Sequence, residues 1–303
     1  MFDRKKILLI GPYGQVGWEL WHSTQPLGEV IIAGRGSNQQ LQAQIDLAEP
    51  NSIRRVIREI KPNIVLNAAA YTKVDKAEQE SELAYQINAT APGVLAEECL
   101  RLKSLLIHYS TDYVFDGSHT NSYTEIDAIN PLGVYGASKL AGEQAITDIG
   151  GLYLILRTAW VYGKRGQNFL LTMQRLATER EELKVVADQI GAPTWSRMIA
   201  QATAHIIAQI YSPLYQLDVK SLTGIYHLTS AGQTNWYEFA KAIIAQSKNS
   251  PRILPITTAD YPTPAKRPAY SVLSNAKLNQ TFGINLPTWD HALTLVLNND
   301  QVL

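Results

Sequence analysis

The chain has 303 residues, of which 46% are hydrophobic and 18% charged, with 27 basic and 27 acidic side chains. This composition argues against disorder, and the balanced charge excludes a global electrostatic attraction to nucleic acid or to an anionic membrane. Cys99 is the only cysteine, which excludes an internal disulfide and a cysteine-based zinc site. No apolar run approaches the roughly 20 residues that span a bilayer, and the run at 7–10 is too short for a signal peptide. We therefore expect a cytoplasmic protein without membrane or nucleic-acid partners.

Strand-like apolar runs alternate with helical patterns through the first half of the chain. The runs lie at residues 6–10, 30–33, 64–67, 105–109 and 152–157, and the helical patterns at 16–24, 51–60, 81–102 and 138–146. Continuous apolar runs of this length are typical of strands buried on both faces of a parallel sheet. We expect Asn51 or Ser52 to cap the second helix. The alternation predicts an α/β fold, a Rossmann-type doubly wound parallel sheet.

The second half of the chain is less regular. It shows a strand pattern at 183–187, a helix at 196–211, a strand at 224–228 and a helix at 236–246, and then proline-punctuated loops over 251–287. We predict a Rossmann domain over residues 1–163, to which segments near 188–228 partly return. A smaller, interleaved C-terminal α/β substrate domain is expected over residues 164–303.

A glycine-rich turn, GPYGQVG at residues 11–17, lies directly between the first strand and the first helix. Glycine permits positive φ and a close approach of the backbone to a pyrophosphate, and the helix N-terminus presents free N–H groups. This context predicts a dinucleotide site, with an ordinary structural turn as the alternative.

The residue after the second strand bears on the choice of dinucleotide. No acidic residue stands there to bind a ribose; the sequence has Arg35 instead, which can pair with a 2′-phosphate. We therefore expect NADPH to be favoured over NADH, with a solvated loop arginine as the alternative.

Tyr135 and Lys139 stand four residues apart, a spacing that places both on one face of a helix. A phenol titrates near ~10 in water, and a nearby ammonium should lower that pKa and make Tyr135 a usable general acid. Thr111, at the end of the fourth apolar run, could hold a substrate carbonyl against the phenol. A surface helix is the alternative, but the glycine turn and the sheet pattern favour a catalytic pair.

Together these motifs resemble the extended short-chain dehydrogenase/reductase family, and within it the reductases of dTDP-linked 4-keto sugars. The resemblance runs over nearly the whole chain and is carried by residues 14–20 (GQVGWEL), 67–78 (NAAAYTKVDKAE), 108–115 (HYSTDYVF), 135–139 (YGASK), 157–162 (RTAWVY), 188–194 (DQIGAPT) and 261–268 (YPTPAKRP). It implies NADPH-dependent reduction of the C4 ketone of dTDP-4-dehydro-β-L-rhamnose to dTDP-L-rhamnose, a precursor of cell-surface polysaccharide.

The resemblance also implies roles for individual residues. Tyr135 would donate the proton, and Lys139 and Thr111 would complete a catalytic triad. The cofactor would be bound by Gly11, Gly14, Gln15, Val16, Gly17, Arg35, Asp46, Leu47, Ala68, Ala69, Ala70, Tyr71, Thr72, Tyr109, Tyr135 and Lys139. The nucleotide sugar would contact Thr111, Asp112, Trp160 and Arg267, although Trp160 could instead be a core aromatic, and Arg267, like the neighbouring Lys266, a solvated cation.

Some features of relatives extend beyond these residues. The resemblance allows NADH as a second cofactor, Mg²⁺ and a homodimer, but the sequence offers no carboxylate cluster that we would assign to Mg²⁺.

Two alternative functions stay open. One is another nucleotide-sugar 4-ketoreductase or an epimerase of the same family; a dehydratase is disfavoured because Tyr113, and not a glutamate, follows Asp112. The other is a non-catalytic, cofactor-binding regulatory subunit. Such a protein can lose part of the Tyr–Lys pair, whereas this chain keeps Thr111, Tyr135 and Lys139.

Overall fold

The computed structural model describes residues 4–36, 40–212, 218–245 and 251–298. Its strands are β1 (Lys6–Ile10), β2 (Glu29–Gly34), β3 (Ala43–Gln44), β4 (Ile64–Asn67), β5 (Leu105–Thr111), β6 (Leu152–Thr158), β7 (Val161–Tyr162), β8 (Glu182–Val186), β9 (Ile190–Gly191), β10 (Thr194–Trp195), β11 (Gly224–His227), β12 (Thr234–Asn235) and β13 (Arg252–Ile256). Its helices are α1 (Gln15–Thr24), α2 (Pro50–Ile60), α3 (Val74–Ala77), α4 (Ser81–Tyr85), α5 (Ala91–Leu102), α6 (Val134–Ile149), α7 (Phe169–Glu179), α8 (Ser196–Tyr211), α9 (Trp236–Ile244), α10 (Ala276–Phe282) and α11 (Trp289–Asn298).

A seven-stranded parallel sheet in the order β11-β6-β5-β4-β1-β2-β3 forms the centre of the molecule. Alternate strand residues pack on opposite faces: Leu9 lies in one apolar cluster with Ile206 of α8, and Leu8 in another with Leu95 of α5. The predicted doubly wound α/β fold is therefore confirmed. The strand order reverses between β1 and β4, and in such sheets ligands bind in the crevice at that point, beyond the carboxyl ends of the strands.

The predicted strands and helices of the first half are confirmed, with shifted ends and one error. The cap of α2 was wrongly assigned: Glu49 precedes the helix and Pro50 occupies its first turn, because proline already has a helical φ and lacks an N–H that would need a partner. Ser52 instead accepts a hydrogen bond from the backbone N–H of Asp46.

The helix predicted over 81–102 is confirmed as one continuous helical run, but its middle turn is π-helical and not α-helical. A π-helical turn over Gln86–Thr90 separates α4 from α5. Within this turn the Asn88 side chain accepts a hydrogen bond from the N–H of Tyr71 and donates to the Tyr71 carbonyl and to Ser138. Those contacts connect the helix layer to the loop after β4, which borders the crevice.

The second half forms a smaller layer in which α7, α9 and α11 bury apolar side chains against β8 and β10. The range 251–287, predicted as loops, contains the strand β13, which pairs with β8 although it includes Pro255, and the helix α10. The helix predicted at 236–246 is observed as α9, and residue 246 lies outside the described residues. β11 extends the central sheet and Ile206 of α8 packs on it, while the division into domains at residue 163 stays a prediction.

Candidate active site

The glycine-rich turn brings the backbone close to the crevice. Gly11 has φ +80°, a region that side chains disfavour, and a Cβ added at this residue would lie 2.9 Å from Cβ of Ala69. A Cβ at Gly17 would lie only 1.9 Å from the carbonyl oxygen of Gly11. The turn therefore requires glycine at both positions, and it directs the N-terminus of α1 to the crevice, where the helix N–H groups favour an anion.

Two cavities follow the crevice on either side of this turn. The smaller, of about 210 Å³, is lined by Ile10, Gly11, Gly34, Arg35, Ile45, Asp46, Leu47, Ala69, Ala70 and Ile87. The larger, of about 720 Å³, is lined by Gly11, Gly14, Gln15, Val16, Ala68, Ala69, Ala70, Thr72, Lys73, Tyr109, Ser110, Tyr135, Lys139, Thr158, Val161, Gly166 and Gln167. The structure thus brings most of the sequence-predicted cofactor residues to one continuous crevice.

Two predicted cofactor residues have side chains that are engaged elsewhere. The Tyr71 hydroxyl donates a hydrogen bond to Glu80 at 2.6 Å, and its ring belongs to the core below the crevice. The Tyr109 hydroxyl is hydrogen-bonded to Thr203 at 2.8 Å, within the opposite core.

The side chains of Tyr135 and Lys139 both face the larger cavity from α6, which begins at Val134 and not at the predicted residue 138. Burial raises the pKa of Tyr135 to about 12, opposed by a hydrogen bond with Thr111. Burial lowers the pKa of Lys139 to about 8. The Tyr135 pKa is therefore raised and not lowered as expected, because burial outweighs the other contributions, and the Lys139 ammonium contacts Tyr109 and His108 on β5.

Thr111 and Asp112 lie beside the phenol at the end of β5. The Thr111 hydroxyl donates to one carboxylate oxygen of Asp112 at 3.1 Å and accepts from the N–H of Tyr113. Burial raises the pKa of Asp112 to about 6, opposed by hydrogen bonds from Ser271 and Thr111. The other Asp112 oxygen, Oδ2, is buried without a hydrogen-bond partner among the described residues. Neither Thr111 nor Asp112 lines one of the two cavities of the crevice.

Sequence reasoning missed two hydroxyl groups in the larger cavity. Ser110 and Thr158 line it from the ends of the neighbouring strands β5 and β6. The hydroxyl of each is buried and has no protein partner in the described ranges. Their position just before a strand end was the available signal, since ligands in open α/β sheets bind there.

A third cavity, of about 360 Å³, lies on the side of the smaller layer. It is lined by Phe169, Thr172, Met173, Leu176, Lys184, Val185, Val186, Gln189, Trp236, Tyr261, Thr263 and Arg267. Apolar and aromatic walls with two cations suit a ligand that joins an aromatic base to a phosphate.

Of two predicted substrate residues, Arg267 lines this third cavity and Trp160 does not. Arg267 lines it, but its guanidinium pairs with Asp75 of α3 at 2.8 Å and also donates to Thr263 and to the Ala265 carbonyl. Trp160 lines none of the three cavities; its ring stacks on Trp236 at 3.5 Å between centroids. The neighbouring Lys266 is exposed outside these cavities.

The described residues show neither a metal-binding cluster nor a membrane-spanning helix. No group of three or more His, Cys, Asp or Glu side chains there could hold a metal ion, so the Mg²⁺ that the resemblance allows finds no such donor set. Within the same ranges, no helix has the length and apolar character required to cross a membrane.

The geometry can be compared with known proteins. A family profile described as RmlD substrate binding domain matches residues 5–302. A dTDP-4-dehydrorhamnose reductase of Burkholderia thailandensis is 48% identical, with 97% of this chain and 98% of the relative covered, and one of Escherichia coli is 42% identical, with 96% and 97% covered. The crystal structure of a Bacillus anthracis dTDP-4-dehydrorhamnose reductase in complex with NADP matches with a TM-score of 0.88 and 35% identity over 98% of this chain and 99% of that one.

Proposed function

Because the chain belongs to the dTDP-4-dehydrorhamnose reductase family, we propose that it catalyses the NADPH-dependent reduction of the C4 ketone of dTDP-4-dehydro-β-L-rhamnose to dTDP-L-rhamnose. The observation that carries the proposal is the convergence of Tyr135 and Lys139 on the cavity that also contains the glycine-rich turn. Thr111 joins them through its hydrogen bond with Tyr135. An acid for the substrate oxygen and a dinucleotide cradle are therefore adjacent.

The residues of the crevice fit NADPH. The turn at Gly11 and Gly17 leaves room for a pyrophosphate at the N-terminus of α1, and Arg35 borders the smaller cavity where a 2′-phosphate would lie. The buried hydroxyls of Ser110 and Thr158 are suited to bind polar groups of a ligand in the larger cavity. When bound, NADPH supplies the hydride.

Tyr135 holds the proton that the reduced oxygen requires. With its pKa raised to about 12, the phenol is fully protonated at neutral pH and can act as the acid. Thr111 fixes the phenol, and Lys139 places a positive charge in the same buried cavity, where it favours the negative charge that develops on the substrate oxygen. These groups are held in position before the substrate arrives, so little reorganisation is required during the reaction.

The nucleotide part of the substrate is proposed to occupy the third cavity. Its aromatic side chains Phe169 and Trp236 offer stacking surface for the thymine, and Lys184 and Arg267 offer charge for the diphosphate. Asp112, with one free carboxylate oxygen, would accept a hydrogen bond from a sugar hydroxyl. Trp160 would act indirectly, by supporting the Trp236 ring on which it stacks.

We further propose a cytoplasmic homodimer. The side chains of Ile126, Ile129 and Leu132 are exposed in one segment before α6, and burial against a second copy would remove this apolar surface from water. Light scattering of the purified protein checks this, and a monomer at micromolar concentration would contradict it.

The test of the activity mixes the purified protein with dTDP-4-dehydro-β-L-rhamnose and NADPH or NADH, and follows the loss of reduced cofactor. Tyr135→Phe should lower kcat by about 10²–10⁴-fold while NADPH binding persists, because only the transferred proton is removed. Tyr162→Phe is the matched control, since it also deletes a buried hydroxyl but outside the cavities and should leave kcat unchanged. No turnover by the unmodified protein would favour a regulatory subunit, and an active Tyr135→Phe variant would contradict the assigned acid.

A further inference from the structure

Two acceptors on β5 hold the ammonium of Lys139, which lies on α6. Its Nζ donates to the carbonyl oxygen of Tyr109 at 2.6 Å and lies 3.1 Å from Nε2 of His108. An ammonium has three N–H donors, so these two contacts leave one N–H. Since Lys139 lines the larger cavity, this remaining donor is available on the cavity side.

His108 is itself enclosed by protein. Its side chain is 1% exposed, and its Nδ1 lies 3.0 Å from the side-chain amide of Asn67, the residue that pairs with His108 between β4 and β5. Burial and the charge of Lys139 both hold the pKa of His108 well below its usual value, so the ring is neutral. A neutral imidazole has one donor and one acceptor nitrogen.

The charge of Lys139 decides which nitrogen carries the proton. An ammonium can only donate, so Nε2 must accept and the ring proton must lie on Nδ1. Asn67 then has to present its oxygen to Nδ1–H, which a 180° rotation of its terminal amide achieves. The Asn67 side chain is 1% exposed and its oxygen has no other partner among the described residues, so it is free to take this role.

We propose that His108 is a positioning residue for the reaction: in its Nδ1–H form, supported by Asn67, it accepts a hydrogen bond from Lys139 and directs the remaining N–H of that ammonium to the ligand in the cavity. His108 does not touch the substrate or the cofactor; it acts through Lys139. The inference rests on the proposed reductase activity. Without the His108 acceptor the ammonium is held by Tyr109 alone and can turn away from the cavity.

Other titratable groups surround this pair and bear on its pH dependence. Tyr135 and Glu143 lie on the same helix as Lys139, and the charge of Glu143 raises the pKa of Lys139. Glu143 is in turn paired with the buried Arg157 of β6. The charge of Asp112, which follows β5, raises the pKa of Tyr135. All of them remain in place when only His108 is replaced.

The kinetic test compares His108→Leu with His108→Gln. The leucine lacks an acceptor, so kcat should fall roughly ten- to hundred-fold, as for loss of a hydrogen bond to a charged group, while KM for the sugar nucleotide changes less than about two-fold. The amide of glutamine can present an oxygen near the position of Nε2 and should restore kcat to within about three-fold of the parent. His227→Leu is the matched control: that histidine is equally buried but lies outside the three cavities, so its loss should lower stability and leave kcat of the folded protein unchanged.

The second measurement needs no variant and no turnover. Nitrogen-15 NMR of the histidine rings should show His108 in the Nδ1–H form at pH 6–7. Observation of the Nε2–H form, a leucine variant as active as the parent, or a glutamine variant as impaired as the leucine variant would each overturn the proposal. Because the NMR result does not depend on activity, failure of this inference is distinguishable from failure of the proposed function.

Discussion

The cofactor crevice and the third cavity are built in different ways. The crevice is formed by the carboxyl ends of β1, β4 and β5, which are neighbours in the sheet, and much of its lining is backbone, glycine and alanine. The third cavity is formed by segments distributed from residue 169 to residue 267. Its Arg267 is paired with Asp75, which lies 192 residues away in the chain.

This difference predicts how each region responds to a ligand and to mutation. The register of the strands fixes the shape of the crevice before any ligand binds. An atom added against its backbone should therefore weaken ligand binding strongly. In the third cavity a diphosphate must compete with Asp75 for Arg267, so part of the interaction with the ligand offsets a lost ion pair. Substitutions there should have smaller effects, mainly on KM.

Gly17→Ala tests the rigid backbone of the crevice. It should weaken ligand binding more than replacement of Arg35 or Arg267 by alanine. The added Cβ would lie 1.9 Å from the Gly11 carbonyl oxygen, so the turn must move. We expect NADPH affinity to weaken on the order of 10²-fold, as misplacement of a binding element by about 1 Å can cost that much. Gly93→Ala in α5 is the control, because its Cβ would meet Cβ of Ala145 at 3.3 Å, away from the residues that line the crevice. Equal cofactor dissociation constants for the two glycine variants, measured by fluorescence titration, would refute the rigid-turn argument.

Arg35→Ala tests the edge of the crevice, where a side chain and not the backbone is proposed to bind the 2′-phosphate. The arginine is exposed, so water and salt screen its charge and the expected loss is moderate. KM for NADPH should rise about ten-fold, while KM for NADH, which lacks the 2′-phosphate, stays within two-fold and serves as the internal control. A parallel rise for both cofactors would show that Arg35 does not select the phosphate.

Arg267→Ala tests the third cavity and should have a smaller effect than either of the crevice substitutions. Because Arg267 already has Asp75 as a partner, we expect KM for the sugar nucleotide to rise about five-fold, with little change in kcat. Lys266→Ala removes the adjacent exposed cation and should change neither constant. An unchanged KM for Arg267→Ala would remove this residue from the substrate site.

Much of the crevice could be predicted from the sequence because its chemistry follows local signals. The glycine turn lies between a strand and a helix, and the spacing of Tyr135 and Lys139 alone places them on one helical face. Each of these signals involves only a few neighbouring residues, so it can be recognised without knowing how the rest of the chain folds. Ser110 and Thr158 were missed because a hydroxyl at a strand end is common, and only the three-dimensional shape of the larger cavity shows that both line it.

Two features that the sequence did not predict depend on contacts between separated segments. The π-turn at Gln86–Thr90 accompanies the hydrogen bonds between Asn88 and Tyr71, and β13 forms because β8 is available to pair with it. The pKa of Tyr135 depends on burial, on Thr111 and on the charge of Asp112, none of which the spacing of Tyr135 and Lys139 contains.

The sequence by itself determined the parallel sheet, the position of the dinucleotide turn and the candidate proton donor, because apolar periodicity and glycine geometry are local properties of the backbone. Only the tertiary structure decided that Arg267 is held by Asp75, that Trp160 stacks on Trp236 and that His108 supports Lys139. Each of those contacts joins residues more than thirty positions apart, and a pairing over that distance depends on how the elements pack.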